Sequence, residues 1–295
     1  MISSKTLNIA IIHNNDMKRQ LYLRPKLQEL KDSLVGILNV NFEEYSFQSS
    51  FQVVYEKNFF RSLHTQLDES SRYFFASRIW ERYKKNRNPV SFFPLIHQII
   101  HFFIPLKCFN QKMEYNFIQS KKNRAIFEKH FRAWTDFLET KDPQQFLLVI
   151  EDDLIFTEKS IQNFHKICYE FLDNNFSPEL PIFLDVAGGF KIEKLRVENL
   201  VNNRSELDIS FIKPVTNTAC GYILNYTTAE IFCNTISEEP KMRNFGPDWA
   251  MNMIFVKSEK LFSRSICKHY QPPVFIHGSF ANYYESSVQS REQEK

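Results

Sequence analysis

Apolar positions recur along this chain in two periods, and their succession predicts alternating strands and helices. Leu7-Asn-Ile-Ala-Ile-Ile12 is a short run rich in β-branched residues that ends in His13, Asn14, Asn15 and Asp16, the pattern of a buried strand and its loop. Helical spacing follows through Leu21, Leu27, Leu30 and Leu34, and residues Ile37 to Phe42 predict a second strand. A helix is predicted over Asn123 to Leu138, from Ile126, Phe127, His130, Phe131, Trp134, Phe137 and Leu138. It leads into Phe146-Leu-Leu-Val-Ile150, a continuous apolar strand closed at once by Glu151, Asp152 and Asp153. A helix from about Glu158 to Phe171 is expected next, with Thr157 as its N-cap. Strands are expected at Pro181 to Val186, Cys220 to Leu224 and Val274 to Ile276, and helices at Thr227 to Ile236 and from Pro247 onward. This order predicts an α/β fold with one mixed, mostly parallel sheet flanked by helices.

The stretch from about residue 55 to 119 breaks the pattern. It mixes aromatic with basic residues (Arg72, Tyr73, Arg78, Trp80, Arg82, Lys84, Lys85), then turns strongly apolar from Val90 to Phe109. Pro94, His97, His101 and Pro105 interrupt that part, so it falls short of the roughly 18 apolar residues a membrane-spanning helix needs. Two readings stand: an inserted helical subdomain packed on the sheet, or a patch resting on an anionic membrane surface. The expected organisation is one domain over 1–285 carrying this insertion, and a polar tail over 286–295.

Bulk properties narrow the chemistry. A net charge of +3 over 295 residues is too mild for a protein whose main partner is nucleic acid. Five cysteines, with no CxxC pair among them, predict a reduced, cytoplasmic setting, and no basic-then-apolar leader precedes Leu7. Only 6 glycines occur against 30 phenylalanines, so each glycine is informative, above all the adjacent pair Gly188 and Gly189.

The acidic strand end carries the clearest chemistry. A buried strand delivers the residues after it to the carboxyl edge of the sheet, where ligand crevices open. Three adjacent carboxylates there repel one another unless a cation shares the site. Side chains alternate along an extended segment, so Glu151 and Asp153 are expected to act as a clamp for Mn2+ or Mg2+, with Asp152 facing away. The competing reading is a helix N-terminus that favours acids.

These residues resemble glycosyltransferase family 25, the lipopolysaccharide-biosynthesis type. The similarity lies in Phe127-Glu-Lys-His130-Phe-Arg-Ala-Trp134 ahead of Leu147-Leu-Val-Ile-Glu-Asp-Asp153, in Asn217-Thr-Ala-Cys-Gly-Tyr222, and in Gly246-Pro-Asp248-Trp-Ala, about half the chain. The resemblance implies a GT-A-like fold, an inverting outcome, a nucleotide-sugar donor with UDP-galactose the family's usual one, and a glycan or glycolipid acceptor on a bacterial surface.

Sugar transfer needs a neutralised diphosphate, a base for the acceptor hydroxyl, and geometry that aligns them. Asp153 is the expected metal ligand, and Glu151 is expected on the metal, its water or the ribose; His277 either completes the metal sphere, binds diphosphate or is structural. Asp248 is the candidate base, or else a helix cap or structural ion pair, and Trp249 stacks on a sugar or is buried. His13, Asn14 and Asn15 are candidate donor contacts with Asp152, as is His130, for which a core role competes. Asp185, Gly188 and Gly189 mark either an acceptor site or a tight turn. Two further readings keep some of these features: a metal-dependent phosphohydrolase or nuclease, and a non-catalytic glycan- or membrane-binding protein.

Overall fold

The structure, a computed structural model, describes residues 5–46, 109–169, 177–189, 200–201, 208–211, 216 and 218–284. In chain order these form β1 (Thr6–His13), α1 (Met17–Ser33), β2 (Asn39–Ser46), α2 (Phe109–Glu139), β3 (Phe146–Glu151), β4 (Leu154–Phe156), α3 (Ser160–Ile167), β5 (Ile182–Asp185), β6 (Leu200–Val201), β7 (Asp208–Phe211), β8 (Gly221–Asn225), α4 (Tyr226–Glu238), α5 (Pro247–Lys257), β9 (Ile266–Tyr270) and β10 (Phe275–His277). Most of the stretch expected as an insertion, and the polar tail, lie outside the described residues. No helix among the described residues is long and apolar enough to cross a membrane.

Eight strands make one sheet in the order β2-β1-β3-β8-β5-β9-β7-β6, and β10 pairs with β4 in a separate ribbon. The pairings run β8 and β7 against the other six strands, so the sheet is mixed, with most of its strands pointing one way. The α/β class expected from the sequence, one mixed sheet flanked by helices, is the class observed.

Period-two alternation explains why β3 is apolar throughout. Leu147 and Val149 enter a core shared with Phe127, Trp134, Phe232 and Phe255 of α2, α4 and α5. Phe146, Leu148 and Ile150 enter a second core with Leu23, Leu27 and Leu30 of α1 and Phe164 of α3. A strand covered on both faces has no position left for a polar side chain. Each fully buried Phe or Leu contributes about 1.5–3 kcal/mol by leaving water.

Several boundaries differ from expectation for local reasons. α1 opens where the Asp16 carboxylate accepts from the Lys18 and Arg19 amides. β2 begins two residues later than expected because Gly36, at φ +85°, makes a turn first. α2 begins at Phe109, inside the stretch assigned to the insertion. Thr157 is not an N-cap: α3 starts after Lys159, and the Ser160 hydroxyl takes the Thr157 amide (2.8 Å) while donating to the Val274 carbonyl. β4, β6, β7 and β9 were not expected.

Candidate active site

The sheet changes direction between β3 and β8, and the acids leave β3 at that point. The Glu151 amide donates to the Cys220 carbonyl (2.8 Å) and the Asp152 amide to the Ile12 carbonyl (2.9 Å), which fixes the start of the acidic segment between two neighbouring strands. The chain turns after Glu151, so the three carboxylates face three different partners.

Asp152 is the acid that meets arginine. Its Oδ1 lies 2.8 Å from Arg19 Nη1 and its Oδ2 accepts the Asn14 amide (3.1 Å), with both side chains nearly excluded from solvent. Arg19 also lies under the Tyr284 ring, 5.1 Å from its centroid. This buried pair ties β1's loop to the acidic turn.

Asp153 meets different groups. Its Oδ2 lies 3.3 Å from His277 Nδ1 and accepts the Ser279 hydroxyl, while its Oδ1 accepts the Cys220 thiol (3.4 Å). Burial pushes the Asp153 carboxyl up, but the His277, Ser279 and Cys220 contacts outweigh it and hold the group well below the usual carboxylate range. Burial lowers His277, yet Asp153 outweighs that and raises it. Asp153, Cys220 and His277 bring one ligand atom each within 4.8 Å of one another.

The ribbon of β4 and β10 makes this convergence possible. Its register sets His277 opposite Leu154, and the Gly278 amide donates to the Asp153 carbonyl (2.8 Å). A Cβ on Gly278 would sit 2.4 Å from that carbonyl oxygen and 2.8 Å from Tyr284, so only glycine lets the backbones approach this closely. Gly278→Ala is expected to destabilise the protein by about 1–3 kcal/mol, the range of an overpacked contact, and to separate His277 from Asp153. Denaturant unfolding of the variant checks the effect, and unchanged stability would refute this account of Gly278.

Glu151 faces α2. The Trp134 indole donates to the Tyr222 hydroxyl (2.9 Å), and that hydroxyl lies 2.8 Å from His130 Nδ1. Burial raises the Tyr222 hydroxyl far above its normal range, so it keeps its proton. Indole nitrogen only donates, so the Tyr222 proton is directed at His130 Nδ1, and a neutral ring then carries its own proton on Nε2, 3.2 Å from Glu151 Oε1. His130 is fully buried, and in this chain it orients the Glu151 carboxylate, which retains some exposure.

Asp248 opens the first turn of α5 within the electrostatic reach of both Glu151 and His130. Burial raises its carboxyl above the usual range, Glu151 adds to that, and the Trp249 amide works against it. Trp249 beside it is partly exposed. A carboxyl raised in this way is a better proton acceptor than an ordinary aspartate.

The other expected contacts are more dispersed. Asn14 and Asn15 are exposed at the end of β1, whereas His13 is buried, with Nδ1 2.8 Å from Gln20 Nε2 and a ring lowered by burial. Asp185 is buried, with Oδ2 2.9 Å from His269 Nδ1 and Oδ1 accepting the Ala187 amide (3.2 Å). Gly188 and Gly189 are half-buried, and a Cβ on Gly189 would lie 2.7 Å from the Thr218 methyl and 2.9 Å from the Phe280 ring. Lys129 was not anticipated. Its ammonium donates to the His13 carbonyl (2.7 Å) and to Asn14 Oδ1, and burial lowers it while Asp152 and Glu151 oppose that.

No protein-family model matches the sequence, and no curated protein matches it. Among solved structures, the crystal structure of a glycosyltransferase involved in the glycosylation of the major capsid of PBCV-1 aligns over 92% of this chain and 92% of that one, at 9% identity and a TM-score of 0.32.

Proposed function

We propose that the protein is a metal-dependent glycosyltransferase, which moves a sugar from a nucleotide donor to a hydroxyl of a bacterial surface glycan with inversion. The observation that carries this reading is the meeting of Asp153 and His277 at the carboxyl end of β3, with Glu151 and Asp248 in the same acidic site. Its donor set fits a divalent cation: a buried carboxylate and, 3.3 Å from its Oδ2, a buried ring nitrogen. Such a cation supplies positive charge for the departing diphosphate.

The remaining steps fall to the chain's own side chains. Glu151, oriented by His130, presents its carboxylate to the donor ribose or to ordered water. Asp248 takes the proton of the acceptor hydroxyl as the new glycosidic bond forms and the nucleoside diphosphate leaves. Exposed Asn14 and Asn15 border the donor, and Trp249, Gly188 and Gly189 the acceptor. The donor sugar proposed is galactose on UDP, and the acceptor a lipooligosaccharide, lipopolysaccharide or capsule. The aromatic and basic stretch over 55–119 is the proposed contact with an anionic inner-membrane surface, within one catalytic domain over 1–285.

A thermal-shift screen of nucleotide sugars with and without divalent ions tests the reading. A ligand that binds only the folded state raises the melting point with its affinity. The expected result is a cation-dependent rise with one UDP-sugar, and release of UDP when an acceptor glycan is added. Release of inorganic phosphate from phosphoesters with no donor binding would overturn it in favour of a phosphohydrolase.

A further inference from the structure

We infer that Cys220 is a third protein ligand of the cation site, and that the resident ion is of the zinc class and not magnesium. This rests on the metal-dependent reading above and sharpens it. The thiol belongs to the residue just before β8, is fully buried, and touches Asp153 Oδ1 at 3.4 Å. His277 Nδ1 stands 3.3 Å from the other oxygen of the same carboxylate, and all three donors gather within 4.8 Å.

These separations are close to those a tetrahedral ion sets between its donors. Zinc bonds of about 2.0–2.1 Å to nitrogen or oxygen and about 2.3 Å to sulfur put oxygen and nitrogen donors roughly 3.3 Å apart, and oxygen and sulfur donors roughly 3.5 Å apart. The observed 3.3 and 3.4 Å run to different oxygens of Asp153, so an ion held by all three residues draws the ring nitrogen and the sulfur, now within 4.8 Å of each other, toward one carboxylate oxygen or is bridged by both. Three protein donors and one open position is the arrangement of catalytic zinc sites.

The chemistry of the donors points the same way. Magnesium takes oxygen ligands in octahedral geometry, whereas a set with one thiolate, one imidazole and one carboxylate suits zinc or cobalt. On coordination the sulfur–metal bond forms and the thiol proton passes to solvent. Ser279, which donates to Asp153, then orients the carboxylate from outside the ligand set.

X-ray absorption at the zinc edge tests this on the full chain, stripped with chelator and reloaded with one equivalent of Zn2+. The expected spectrum contains one sulfur at about 2.3 Å with nitrogen and oxygen at about 2.0–2.1 Å. Cys220→Ser, or Cys220→Ala where the hydroxyl is not tolerated, is expected to lose the sulfur shell and at least about tenfold in zinc affinity, the scale of losing even an outer-shell partner. A spectrum of nitrogen and oxygen alone, or a sulfur shell that survives in the variant, would overturn the role of Cys220 while leaving a cation on Asp153 and His277. Absence of any zinc, cobalt, manganese or magnesium binding that depends on Asp153 would overturn the metal-dependent reading as well.

Discussion

Asp153→Asn is expected to lower sugar transfer by roughly 10³-fold or more and to abolish cation-dependent nucleotide binding. The substitution conserves shape. Asn keeps one acceptor oxygen, so it retains the Ser279 or the Cys220 contact but not both, since these donors meet different oxygens of Asp153, and it removes the negative charge that faces His277. Charge stabilisation of a leaving group by a bound cation is worth several kcal/mol, and each 1.4 kcal/mol is a factor of ten in rate. Isothermal calorimetry of the nucleotide, with and without the divalent ion, separates this from a folding defect: donor affinity that still rises with the ion, in a folded variant, would remove Asp153 from the metal role.

The three acids illustrate what sequence periodicity can and cannot specify. Their arrival at the carboxyl edge follows from Phe146–Ile150 being apolar at every position, which requires a strand covered on both faces. Their partners do not follow. An extended reading aims Glu151 and Asp153 at one point, but the turn after Glu151 sends one to His130 and the other to His277. Asp152 does face away, and its partner Arg19 lies 133 residues earlier. Cys220 is 67 residues from Asp153, and Lys129 is 116 from His13. Contacts at such separations are set by strand order, and β8 lies between β3 and β5 although it comes after both in the chain.

The strands that escaped detection are those whose apolar signal is short or interrupted. β4 has three residues and is a strand through its pairing with β10, the pairing that brings His277 to Asp153. β9 contains Lys268 and His269, and it buries His269 by setting it against Asp185. A buried polar pair imitates a polar surface position in sequence, so the alternation there reads as loop. Gly278 directly follows β10, and the carbonyl it must approach is visible only with the register of the ribbon.

Asp248→Asn is expected to cut transfer by about 10²–10⁴-fold while donor binding changes little, the scale of a lost general base. Asp248 contacts the rest of the site through charge: Glu151 raises its carboxyl and His130 lowers it, and the amides of Asp248 and Trp249 hold the group in place. Asn keeps an oxygen for those amides, so α5 should start where it does now, and the acid-base function alone is removed. Because the Asp248 pKa is raised, the wild-type rate should climb with pH as that carboxyl ionises, and this limb should vanish in the variant. Steady-state rates against pH, with donor affinity measured by calorimetry in parallel, check both parts. Near-normal turnover, or an unchanged acidic limb, would assign the base to another group, for which Glu151, whose charge reaches Asp248 and which retains exposure, is the next candidate.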